Sequence, residues 1–62
     1  MMAIIIQSHT TRRFNIELVQ IEGDEYVIQW DTAEETFTSG AIDDLKSAMK
    51  AYEDLLVIFQ GN

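Results

Sequence analysis

The chain has 62 residues with no cysteine and no proline, and its eleven acidic residues against four basic ones give a formal charge of −7. That length allows one core, a single α+β domain over 1–62, while the lone histidine and missing thiols exclude disulfides and a structural zinc site. A surface of this charge repels phosphate backbones and anionic lipids, so nucleic-acid binding starts with a penalty and a basic partner is favoured.

Stability is close to balance. Folding buries about 60% of roughly 10,000 Å² of unfolded surface, and its apolar share contributes ~90 kcal/mol. Ordering the chain costs ~90 kcal/mol. Self-association is the remaining source of stability, so a homodimer or higher oligomer is expected. The apolar run over residues 1–6 is too short for a signal peptide or a membrane span, which places the protein in the cytoplasm with no membrane partner.

Along the chain, Ile4, Ile5 and Ile6 form a β-branched run, the pattern of a strand covered on both faces or paired at an interface. Ser8 to Thr11 reads as a turn, although without Gly or Pro this run and the next can also be one bent strand. From Arg12 to Glu22, Phe14, Ile16 and Leu18 alternate with polar residues, and then the phase slips so that Val19 and Ile21 become the apolar positions. Gly23-Asp24 is a two-residue hairpin turn leading into a strand over Tyr26–Asp31. Uninterrupted pairing from that turn would set Glu17 against Trp30. A β-bulge near Leu18-Val19 restores Ile16 opposite Trp30 and Phe14 opposite Thr32. Residues Asp31 to Glu34 form a second connection, and Glu35 to Thr38 a short fourth strand.

Ser39 is a fitting N-cap for a helix, with Asp43 and Asp44 in its first turns. Ile42, Leu45, Met49, Tyr52, Leu56 and Phe59 recur at helical spacing, widened by Ala41, Ala48 and Leu55, and Gly61 is placed to end the helix. The expected architecture is therefore an antiparallel meander of three to four strands with one amphipathic C-terminal helix packed on one face, β-β-β-β-α. Five consecutive apolar residues over Leu55–Phe59 exceed one stripe, and the segment over 55–60 could alternatively form a final strand. As helix, it exposes Val57 and Ile58, which together with Ile4, Ile5 and Ile6 are the expected subunit contact.

No residues match a catalytic, metal or cofactor motif, so no enzyme activity, metal or cofactor is expected. His9 reads as a solvent-exposed loop histidine, and the acidic doublets Asp24-Glu25, Glu34-Glu35, Asp43-Asp44 and Glu53-Asp54 read as solvated faces. Arg12-Arg13 is the basic cluster. With exposed aromatics on the sheet it could cradle a single nucleic-acid strand, and the meander-plus-helix order resembles, in architecture alone, small dimeric single-strand-binding folds. The charge balance points instead to a non-enzymatic interaction module, homodimeric, with an acidic surface for a basic partner such as a nucleic-acid-binding protein.

Overall fold

The computed structural model describes residues 3–61. Four strands, β1 (Ile4–Thr10), β2 (Phe14–Glu22), β3 (Glu25–Thr32) and β4 (Thr36–Thr38), precede one helix, α1 (Leu45–Gln60). Each strand pairs antiparallel with its neighbour in chain order, and the helix lies over β2 and β3. This is the β-β-β-β-α architecture expected from the sequence.

Alternation in β2 fixes the inner face. Phe14, Ile16 and Leu18 are buried together with Tyr26 and Ile28 of β3 and with Ala48 and Tyr52 of α1. Ile16, Leu18 and Ile28 are the largest fully buried side chains, each contributing about 1.5–3 kcal/mol through its apolar area. Phe14 stands opposite Thr32 and Ile16 opposite Trp30, the two pairings that the sequence demands. The bulge that permits them lies later than Leu18-Val19. Gln20 pairs with Tyr26 and Glu22 with Glu25, leaving Ile21 as the extra residue. Leu18 thereby stays in phase with Ile16 and is buried against Ile28, which an earlier insertion would have prevented. Val19 turns to the other side of the sheet, opposite Val27, and neither joins the core under the helix. Gly23 adopts φ 51° in the hairpin turn, where a side chain would be strained, and the Gln20 side-chain amide donates to the Gly23 carbonyl.

Two other turns share a threonine device. Strand β1 continues through Ser8 to Thr10, so the first turn is Thr11–Phe14 rather than Ser8–Thr11, and β1 and β2 are separate strands. The Thr11 hydroxyl accepts from the amides of Arg13 and Phe14 at 3.1 and 3.2 Å. Thr32 repeats this between β3 and β4, accepting from Glu34 and Glu35 at 3.3 and 3.2 Å. A hydroxyl bonding amides two and three residues ahead closes a turn without Gly or Pro.

Ser39 and Ile42 do not start the helix. The Ser39 amide donates to the Ile28 carbonyl, while the Ile28 amide donates to the Ser39 hydroxyl at 2.9 Å. Ile42 and Tyr26 then exchange amide-to-carbonyl bonds of 2.7 and 2.8 Å. The stretch after β4 thus keeps pairing with β3 before the helix begins, because open backbone groups on β3 compete with helix formation. Asp44 is the true N-cap, accepting from the Ser47 amide at 2.9 Å. The helix runs unbroken to Gln60, so 55–60 is helix and not a strand, and the Gly61 amide closes its end on the Val57 carbonyl. On its outer face Lys50 meets Asp54 at 3.4 Å; the pair is exposed and contributes little.

Removing the Ser39 hydroxyl leaves the amide of buried Ile28 without its partner. Ser39→Ala is expected to cost about 1–2 kcal/mol in urea unfolding and to accelerate hydrogen exchange at Ile28; unchanged exchange there refutes the bond. At Asp44, the hydrogen bonds from Ser47 and the charge of Lys46 hold the carboxyl below its ordinary 3.8. A lowered folded-state value means that the cap's contribution is fully present above pH 3.8 and is lost as pH falls through the folded-state value. Asp44→Ala is therefore expected to lower the thermal midpoint at pH 7, with the gap from wild type closing on acidification. A gap independent of pH refutes the charged cap.

Candidate interaction surfaces

Strand direction sorts the charges. The β2–β3 hairpin presents Glu22, Asp24 and Glu25, and the Tyr26–Ile42 bridge brings Asp43 and Asp44 to the same end of the sheet. All five are exposed, and the neighbouring Leu45 is 40% exposed. Among the described residues no three His, Asp or Glu side chains are placed to hold a metal ion. Arg12 and Arg13 lie at the other end of β2, in the Thr11–Phe14 turn. The molecule therefore has an acidic pole and, at the far end of the nine-residue strand β2, a corner that carries two guanidinium groups; at ~3.3 Å per residue the separation is roughly 30 Å.

The arginine corner adjoins a chain of rings. His9, Ile16, Trp30 and Phe37 occupy one cross-strand row over all four strands. Phe37 stacks on Trp30 at 5.5 Å, Trp30 meets Phe59 at 6.4 Å, Phe59 stacks on Phe14 at 5.0 Å, and Phe14 meets His9 at 5.9 Å. Offset and tilted pairs at these separations are favourable beyond the area that they bury. His9 is thus no loop residue. It lies half-buried in β1, with Nε2 3.4 Å from the Gln60 side chain at the helix end. Thr11, Arg12, Arg13, Phe14, Phe59 and Gln60 line an open cleft of about 450 Å³ beside it. Tyr52 lies deeper under the helix, and burial raises its phenol above the ordinary 10.0.

The helix does not cover the sheet's other face, although Val19 and Val27 are buried there, at 5% and 6% exposure. Thr10, Asn15, Asp31 and Thr36 form one polar row, joined by hydrogen bonds from Thr10 to Asn15 and from Asn15 to Asp31. Ser8, Glu17, Gln29 and Thr38 form a second, and Ile5, Val19 and Val27 an apolar third. Among the described residues no aromatic ring lies on this face, because Trp30, Tyr26 and Phe37 all turn toward the helix side. A single-stranded nucleic acid would meet Glu17 and Asp31 there instead of stacking partners.

The expected contact residues fall at two places. Val57 and Ile58 are 67% and 58% exposed near the Phe14–Trp30 end, whereas Ile4 and Ile5 are 51% and 57% exposed and pair with Gln20 and Val19 toward the acidic end. Ile6 is half-buried and packs on the core at a bulge in β1. The acidic pole was not visible as a unit in the sequence, since only the Tyr26–Ile42 bridge joins its two halves. No known family model matches the chain, and no curated protein or solved structure is detectably similar to it.

Phe59 links the rings of β2 and β3. Phe59→Ala is expected to destabilise the protein by about 2–3 kcal/mol, somewhat less than a fully buried ring, and to shift the emission of Trp30, the single tryptophan, to the red. Unchanged emission shows that Phe59 does not shield the indole.

Proposed function

We propose that the protein is a non-enzymatic interaction module, homodimeric and cytoplasmic, that offers its acidic pole to a basic protein surface. The gathering of Glu22, Asp24, Glu25, Asp43 and Asp44 at one end supports this most directly. Carboxylates held on a hairpin and a helix start are preorganised, so lysines and arginines of a partner gain attraction without ordering a flexible tail. Exposed Leu45 beside them supplies an apolar contact of the kind found inside a polar rim. A groove that binds nucleic acid has the matching charge, and occupying it would inhibit such a partner.

Competition tests this reading. With histone as the basic protein and duplex DNA as its ligand, micromolar amounts of the module are expected to release DNA in a gel shift at moderate salt. The triple variant Asp24→Lys, Glu25→Lys, Asp43→Lys is expected to lose at least tenfold in potency. Equal potency of the variant, or no release by the wild type, removes the acidic pole as the binding surface. The rival reading, a single-stranded nucleic-acid binder using Arg12 and Arg13, requires a complex with oligonucleotide alone at low salt, where the acidic module forms none.

A further inference from the structure

The start of strand β1 is apolar toward both sides of the sheet, and Ile4 and Ile5 there are covered on neither, whereas Ile6 packs on the core at the bulge. Ile4 pairs with Gln20 and Ile5 with Val19, so the two side chains leave opposite faces, and both remain more than half exposed. The helix lies over β2 and β3 and leaves β1 outside its shelter. A continuous aliphatic run suits a strand buried on both faces, not a bare edge. As the outer strand, β1 also offers unpaired backbone groups along seven residues, and its sequence Ile4–Thr10 holds no lysine, proline or carboxylate to obstruct pairing. The opposite edge, β4, spans only three residues.

We propose that a second copy of this chain occupies that edge, its β1 running antiparallel to the first across a two-fold axis at Ile5. This rests on the homodimer proposed above and assigns it a surface. Such an axis sets Ile5 against Ile5 and Ile4 against Ile6 of the two copies. It joins the Ile5, Val19 and Val27 rows into one apolar band across an eight-stranded sheet, so each aliphatic side chain meets another. Charge selects the same face. Gln60 approaches His9 of β1, and Glu53, Met49 and Lys46 share its helix flank. With Ser47 and Lys50 they line a trough of about 580 Å³. Strand β1 carries no carboxylate, and Lys46 and Lys50 of the helix are matched by Glu53 and by Asp54, the ion-pair partner of Lys50, so the β1 edge adds nothing to the −7 of the chain. Copies meeting on this side avoid the repulsion that their acidic poles impose.

The absence of cysteine makes a direct test clean. Facing Cα atoms in an antiparallel pair lie about 4.5–5.5 Å apart, within disulfide range. Ile5→Cys is expected to oxidise nearly completely to a covalent dimer, while Val57→Cys cross-links weakly. Sedimentation velocity is expected to give twice 7.1 kDa for the wild type and the monomer mass for Ile5→Lys, with far-ultraviolet dichroism unchanged because Ile5 is exposed. A wild type that stays monomeric at 100 µM overturns the homodimer itself. A dimer that survives Ile5→Lys and fails to cross-link through residue 5 overturns the β1 surface alone.

Discussion

Two backbone hydrogen bonds between Tyr26 and Ile42 decide where the sheet ends and the helix begins. Periodicity allows α1 to start at Ile42, but the groups that would open such a helix are already paired with β3. The start moves to Leu45, capped by Asp44. Because Ile42 is held at the hairpin end, the helix must run back over β2 and β3 toward the Phe14–Trp30 end. The same bridge carries Asp43 and Asp44 to the hairpin carboxylates. Helix position and charge distribution are thus two consequences of one backbone contact.

Packing then distributes the apolar surface unevenly. A helix of sixteen residues is marginal alone in water, and it is held by Ala48 and Tyr52 seated on Ile16, Leu18 and Ile28. The small Ala48 lets the helix approach the sheet closely, and the Phe59 ring locks its far end between Phe14 and Trp30. One helix covers two strands. That leaves the start of β1 without a lid, and Ile4 and Ile5 remain in water unless another chain covers them.

The interaction reading draws on both asymmetries. An acidic end attracts basic surfaces, and an uncharged, aliphatic edge accepts a like strand. These features lie on different parts of the molecule, so a dimer formed through β1 leaves its acidic poles open. Antiparallel pairing directs the two poles to opposite ends of the extended sheet, where their mutual repulsion is smallest.

What the sequence determined by itself was periodic and local. The two-residue alternation of Phe14, Ile16 and Leu18, the Gly23-Asp24 turn and the helical spacing through Phe59 each follow from geometry repeated along the chain, and all three stand in the structure. The need for a bulge in β2 was equally legible, since Ile16 must face Trp30. Its location at Ile21 was not, because several insertion points satisfy the same end pairing and only the burial of Leu18 against Ile28 selects among them. The connection after Asp31 was legible, but its closure by Thr32 and the matching closure of the first turn by Thr11 were not, because a hydroxyl closing a turn carries no Gly or Pro signature. The tertiary structure alone decided that Ser39 and Ile42 serve the sheet, that His9 joins a row of rings, and that Ile4 and Ile5 lie far from Val57 and Ile58. Each depends on partners distant in sequence, and no local pattern records which neighbour a backbone amide or an aromatic face will meet.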